Sequence, residues 1–220
     1  MTQSINASHL MWAAGMATAG GLDTPDLSAA FRAPTGPSLP TGANAGWLLR
    51  LSERLMITGA IRPSSARLAC AMAALAMGAD HVLELGAGSG AVTAALTQVV
   101  DAQNIHAVEL QPQQAQRLKR RFPQLHVTQG AAATALDHCT AEGQVAVVSS
   151  LPFRSLPSAI RQSTVDSLLH FLNARAEARL IQFTYGLREP FQAGPGFQWA
   201  RVGWVLANLP PASVWVLCKR

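Results

Sequence analysis

Seven consecutive residues, Glu84-Leu85-Gly86-Ala87-Gly88-Ser89-Gly90, carry the clearest chemical signal in the chain. They follow the apolar residues Val82-Leu83, which read as buried strand, and precede a stretch of helical character over 92–100. Glycines at alternate positions leave bare backbone that a ligand can approach to contact distance, and the following helix offers its positive N-terminal end. A loop of this kind binds a nucleotide-like cofactor. Gly86, Gly88 and Ala91 also satisfy a relaxed dinucleotide fingerprint, and an acidic residue, Glu109, follows at about the spacing of 20 that both classes share. Glu84 separates the two readings. Two residues ahead of the first glycine, its carboxylate would face a pyrophosphate in a dinucleotide turn, whereas it suits an ammonium group. Glu109 ends the second predicted strand, where its two oxygens are placed to accept both hydroxyls of a ribose.

These residues need a scaffold, and the pattern around them supplies one. Strand-like runs at 81–85, 105–110, 125–128, 145–149 and 180–184 are separated by helical stretches at 92–100, 113–122 and 158–172. Strand and helix in alternation predict an α/β fold with a doubly wound, mostly parallel sheet. Two aromatic and β-branched segments, 199–206 and 212–217, joined by Asn208-Leu209-Pro210-Pro211, predict an antiparallel C-terminal strand pair at the sheet edge. Ahead of the sheet lie two N-terminal helices. One spans 45–57, with Trp47, Leu48, Leu51 and Leu55 on one face and Arg50 and Glu53 on the other; the second starts after Pro63-Ser64-Ser65 and stops at Gly78. Residues 1–44, rich in Gly, Ala, Pro, Ser and Thr, are expected to be a flexible extension, so that one domain occupies 45–220.

Composition narrows the setting. With 220 residues, 49% hydrophobic, the chain can bury one substantial core. A net charge of +5 with only 13% charged residues suits an anionic partner, lipid headgroups or nucleic acid, without choosing between them. Three cysteines, Cys70, Cys139 and Cys218, and six scattered histidines have neither disulfide-framework nor metal-site spacing, so no metal is expected and a cytoplasmic location fits. The longest apolar run, 68–79, falls short of the roughly 18 residues a membrane span requires. Contact with a membrane, on this reading, is made from its inner face without crossing it.

The Glu-x-Gly-x-Gly-x-Gly pattern with Glu109 resembles class I S-adenosylmethionine-dependent methyltransferases, with their Rossmann-like fold. Four further segments are similar to the soluble bacterial phospholipid N-methyltransferases, which methylate phosphatidylethanolamine toward phosphatidylcholine. These are Thr58-Gly59-Ala60-Ile61-Arg62-Pro63-Ser64-Ser65, Val148-Ser149-Ser150-Leu151-Pro152, Gln182-Phe183-Thr184-Tyr185-Gly186, and Asn208-Leu209-Pro210-Pro211-Ala212-Ser213-Val214-Trp215-Val216. The resemblance covers 45–220. It implies S-adenosyl-L-methionine as cofactor, S-adenosyl-L-homocysteine as product, and a phospholipid amine at an anionic membrane surface as acceptor. It also implies that Glu84, Gly86, Gly88, Gly90, Glu109, Gly130 and Ala131 bind the cofactor. The family usually has Gly-Asp after the third strand, its carboxylate meeting the adenine amino group; here Gly130 is followed by Ala131 and Ala132, so adenine must be held by backbone or another side chain.

Ser150-Leu151-Pro152-Phe153 stands where amine-directed methyltransferases carry a polar residue, an apolar residue or proline, a proline and an aromatic. The resemblance therefore places Ser149, Ser150, Leu151 and Phe153 at the acceptor amine, with hydroxyls and carbonyls accepting its N–H bonds and the aromatic face packing beside it. Tyr185, the single tyrosine, ends the fifth predicted strand on the same sheet edge, as a donor to phosphate or amine. The helix at 45–57 either covers the core or lays its apolar face in a membrane surface. The same Ser-Leu-Pro-Phe also resembles the Asn-Leu-Pro-Tyr of ribosomal adenine dimethyltransferases, which makes RNA adenine N6-methylation an alternative; the sequence after the sheet shows no helical RNA-gripping domain, which argues against nucleic acid. A catalytically silent cofactor-binding module is the third reading, motivated by Ala131.

Overall fold

The computed structural model describes residues 66–205 and 211–220. The expected helix at 45–57, the extension at 1–44 and the segment at 58–65 lie outside them. In chain order the elements are α1 (Ala66–Ala74), β1 (His81–Leu85), α2 (Ala91–Leu96), a 3-10 turn (Ala102–Asn104), β2 (Ile105–Glu109), α3 (Pro112–Arg121), β3 (His126–Gln129), α4 (Ala132–Asp137), β4 (Val145–Ser149), α5 (Ser158–Asn173), β5 (Arg179–Tyr185), β6 (Phe197–Val205) and β7 (Ala212–Lys219).

The strands form one seven-stranded sheet in the order β3-β2-β1-β4-β5-β7-β6. The first five are parallel, β7 runs antiparallel to β5, and β6 antiparallel to β7. This is the expected doubly wound, mostly parallel sheet with an antiparallel C-terminal pair. Parallel strands covered on both faces carry near-continuous apolar runs; Val145-Ala146-Val147-Val148-Ser149 is buried at every position. One face of the sheet holds Val82, Ile105, Ala107, Ile181 and Phe183 against Leu68, Val92 and Leu118 of α1, α2 and α3. The other holds Leu83, Leu85, Val147 and Leu180 against Leu136, Leu168 and Phe171 of α4 and α5.

Three elements differ from expectation. Helix α1 ends at Ala74, with turns over 75–78 where the sequence predicts helix up to Gly78. Helix α2 ends at Leu96 instead of reaching 100. The Thr97 hydroxyl donates to the Ala94 carbonyl and the chain then continues in tight turns, Val99 N and Val100 N both reaching Leu96 O. Helix α4 has no counterpart in the sequence reading; it is six residues long, and its N-cap, Ala131, has no capping side chain.

The strand order turns at β1 and β4, and in sheets of this class ligands bind in the crevice beyond the carboxyl ends of the strands at such a switch point. Leu85 and Ser149 are in register there, and Ser150 N donates to Leu85 O at 2.9 Å. The glycine loop and the Ser150 loop therefore leave the sheet side by side.

Candidate active site

A cleft of about 840 Å³ opens at this switch point. Its lining includes Gly86, Gly88 and Ser89 after β1, Glu109 and Leu110 after β2, Gly130 and Ala131 after β3, Ser150 and Leu151 after β4, and Tyr185 at the end of β5. Ligand pockets generally span about 300–1,000 Å³, so the cleft has room for a nucleotide-like cofactor and a second reactant.

The three glycines of the loop do different things. A Cβ on Gly86 would lie 2.9 Å from Leu151 Cδ2, and one on Gly90 would lie 2.8 Å from both Leu118 Cδ2 and Phe122 Cε2. Both glycines make room for other parts of the protein. Gly88, at φ +53°, has no protein atom nearer to such a Cβ than Gly86 O at 3.9 Å. Its bare backbone leaves space on the cleft side, as a ligand pressed against the loop requires. Arg121 Nη1 ties the loop to α3 by donating to Ser89 O at 3.1 Å.

Glu109 is 7% exposed. Its Oε2 accepts from Gly88 N and its Oε1 from Gln111 N, both at 2.8 Å. Each oxygen of an ionised carboxylate has a second acceptor site, so both can still take a ribose hydroxyl. Glu84 is fully buried beneath α2, where Oε2 accepts from Thr93 Oγ1 at 2.7 Å and Oε1 has no partner. Burial, opposed by the Thr93 bonds, pushes its pKa up to about 7. A buried carboxylate with one oxygen unpaired gains most from a nearby ammonium.

At the expected adenine end, Gly130 and Ala131 line the cleft with Ala132, Ala133 and Thr134, and no acidic side chain stands among those five. Leu110, 65% exposed, faces the same cleft from the end of β2 and offers apolar surface to a flat ring. Sequence reasoning missed it; the signal was an apolar residue directly after a strand-ending carboxylate.

On the acceptor side the structure divides the expected residues. Ser150, Leu151 and Tyr185 line the cleft. Ser149 is fully buried in β4, its Oγ accepting from Leu151 N at 3.2 Å. Phe153, expected beside the amine, lies in the core at 2% exposure, edge-on to Phe191 with centroids 4.9 Å apart, and is not among the cleft-lining residues. The reason is local: Phe153 N turns back to Leu151 O at 3.0 Å, in a tight turn next to the cleft wall.

Hydrogen bonding leaves few acceptors in this loop. Leu151 O takes Phe153 N and also Gln182 Nε2, both at 3.0 Å, while Pro152 O takes Ser155 N and Leu156 N. Neither the carbonyl nor the hydroxyl of Ser150 has a partner among the described residues. Gln182 is itself 1% exposed, and its Oε1 is unpaired.

Among the described residues no group of three or more His, Cys, Asp or Glu could hold a metal ion. His106 and His126, side by side on β2 and β3 with ring centroids 4.2 Å apart, form a structural pair. Burial, with the second imidazole beside it, lowers the His106 pKa to about 4 and keeps that ring neutral.

Residues 82–174, from β1 through α5, match the family model described as the methyltransferase domain. That stretch is similar to a methyltransferase domain. The whole sheet has the class I S-adenosylmethionine-dependent methyltransferase fold, as three solved structures show. A TehB-like S-adenosylmethionine-dependent methyltransferase from Corynebacterium glutamicum is 16% identical with a TM-score of 0.50, the alignment covering 81% of this chain and 99% of that one. A putative O-methyltransferase from Klebsiella pneumoniae is 11% identical with a TM-score of 0.54, covering 83% and 92%. TrmN from Thermus thermophilus is 18% identical with a TM-score of 0.51, covering 76% of this chain and 53% of that one. At these identities the likeness is one of fold. No curated protein matches the sequence. That similarity implies S-adenosylmethionine as the cofactor; the open backbone at Gly88 and the carboxylate of Glu109, both on the cleft, fit it, while Glu84, with its unpaired oxygen, is buried in β1 just before the loop and does not itself line the cleft.

Proposed function

We propose that this chain transfers a methyl group from S-adenosylmethionine to the nitrogen of a lipid head-group amine, with phosphatidylethanolamine as acceptor. The observation that carries the amine is Ser150, whose carbonyl and hydroxyl are the acceptors left unpaired in the loop over the cleft. Bound S-adenosylmethionine supplies an electrophilic methyl group on a sulfonium. The protein's task is to present a neutral amine with its lone pair free, and such positioning is worth up to about 7–11 kcal/mol of barrier. An ammonium group of unperturbed pKa about 10 must first lose a proton, which passes to water at the open mouth of the cleft. Removal from water into the part of the cleft walled by Leu151, Leu156 and Ile160 favours that loss. The two Ser150 oxygens then accept the remaining N–H bonds of a primary amine.

Three features support a lipid as the carrier of that amine. The cleft wall after β4 holds Ile160, at 54% exposure one of the three exposed large apolar residues among those described, with Leu156 also in that wall. The chain is basic, with a net charge of +5, and Arg117, Lys119, Arg120 and Arg121 on α3 are exposed. The four segments that resemble those of phospholipid N-methyltransferases point the same way. No described helix is long and apolar enough to cross a membrane, so a lipid substrate would be met at the surface.

The test is transfer of labelled methyl groups to vesicles of phosphatidylethanolamine and phosphatidylglycerol, with total RNA and ethanolamine in parallel. Label in phosphatidylethanolamine is the expected result. Label in RNA or in free amine but not in lipid overturns the lipid assignment. Calorimetric binding of S-adenosylhomocysteine without transfer to any amine identifies a silent module instead.

A further inference from the structure

Gln182 sits in the middle of β5, fully buried, at a position where its neighbours in the strand are apolar or β-branched. Its carboxamide orientation is fixed by chemistry: Nε2 donates to Phe183 O at 2.8 Å and to Leu151 O at 3.0 Å, and turning the group over would set Oε1 against two carbonyls. The first bond is to its own strand. The second crosses from β5 to the loop after β4 and fixes the residue that follows Ser150. With Phe153 N on the same carbonyl, Leu151 O has both lone pairs occupied. Leu151 N is held as well, by Ser149 Oγ. Both peptide groups flanking the Leu151 side chain are thus anchored to buried groups, and that side chain contacts the place where a Cβ of Gly86 would stand.

We propose that Gln182 is a positioning residue for methyl transfer: its clamp on the Leu151 carbonyl withdraws that oxygen from the substrate and holds the Ser150 oxygens at the cleft wall. The proposal rests on the reading that Ser150 receives the amine. It explains why a buried glutamine with an unpaired oxygen occupies a site that an apolar side chain of similar length would fill at no desolvation cost. Gln182 is not among the residues lining the cleft, so it acts through the loop alone.

Gln182→Met keeps the length and removes both the donor and the unpaired oxygen. In the full chain this variant is expected to bind S-adenosylhomocysteine within 2-fold of the parent and to melt no lower, while kcat for phosphatidylethanolamine vesicles falls at least about 10-fold with KM little changed. Combined with Ser150→Ala it is expected to add less than it does in the parent, because only the backbone carbonyl at position 150 is left for it to hold; the two single effects are clearly less than multiplicative in the double variant. Amide exchange gives a readout independent of any substrate: Leu151 and Phe153 N–H are expected to exchange at least about 10-fold faster in Gln182→Met, with Val147 and Val148 unchanged. Unchanged exchange, an unchanged kcat, or single-variant effects that multiply in the double variant would overturn the proposal. If the parent protein transfers no label to lipid, the lipid reading fails by itself; the exchange result and the same cycle on whichever amine is methylated still decide the role of Gln182.

Discussion

Replacing Glu84 with glutamine opposes stability and binding in a way that only a buried, functional carboxylate produces. In the folded protein its pKa is about 7, against an ordinary value of 4.5. A group whose folded-state value is raised contributes stability that is fully present below pH 4.5 and is lost as pH rises through 7, because the unfolded chain releases the proton more readily. At 1.36 kcal/mol per pH unit, the interval from 4.5 to about 7 amounts to about 3 kcal/mol of stability lost by pH 8. Glu84→Gln remains neutral at every pH. It is therefore expected to match the parent at pH 4.5 and to exceed it at pH 8 by about 3 kcal/mol, or roughly 6–12 °C in Tm for a chain of this size. The same change removes the charge that an ammonium group would meet. A hydrogen bond to a charged group is worth about 1.5–3 kcal/mol, so affinity for S-adenosylhomocysteine at pH 8 should fall by roughly 10- to 150-fold. Scanning calorimetry between pH 4.5 and 8 and titration calorimetry of the ligand measure the two effects separately. A Tm difference that does not grow with pH, or unchanged ligand affinity, would refute the argument.

Two further substitutions separate the parts of the cofactor loop and its adenine end. Gly88→Ala puts a methyl group where, chain neighbours aside, the nearest atom among the described residues is Gly86 O at 3.9 Å, at a positive φ that costs an alanine about 1–2 kcal/mol. The fold should survive while S-adenosylhomocysteine affinity drops at least about 100-fold. Gly90→Ala drives its methyl group to 2.8 Å from Leu118 and Phe122 and should instead lower stability by roughly 2–5 kcal/mol, read from the Tm without ligand. Ala131→Asp supplies α4 with a capping side chain it lacks and the adenine amino group with a carboxylate. It should raise stability without ligand by about 0.5–2 kcal/mol and tighten S-adenosylhomocysteine about 10-fold, measured by melting and calorimetry respectively.

The parts of this architecture that a sequence shows are those with a strong local cause. The strand Val145–Ser149 is an apolar run too short for a helix, and the glycine loop needs no distant partner to be recognised. Helix α4 escaped because Ala132-Ala133-Thr134-Ala135-Leu136-Asp137 has no polar cap and only Leu136 buried, so its helicity depends on packing supplied by α5. Phe153 and Gln182 show the same limit at the site. Nothing next to Phe153 in the chain says that Phe191 will be its neighbour, and nothing next to Gln182 says that Leu151 O, 31 residues away, needs its donor. The spacing of Gly86 and Gly90 reads as room for a ligand; Gly86 does line the cleft, but the space a side chain would fill there is taken by Leu151, and at Gly90 by Leu118 with Phe122. A spacing motif reports that a side chain is unwelcome, without saying what excludes it.

The bond from Ser150 N to Leu85 O lies on a seam in the sheet. On one side, β1 to β3 end in the residues that suit the cofactor; on the other, β4 and β5 end in those that suit the acceptor. Since the β1–β4 ladder and this backbone contact set the spacing of the two halves, residues beyond Leu151, whose side chain packs against Gly86, can vary in shape with little effect on the other half. The same sheet can in this way be re-equipped for a new acceptor by replacing one half of its rim, a division of labour in which donor chemistry is inherited and acceptor chemistry is exchangeable.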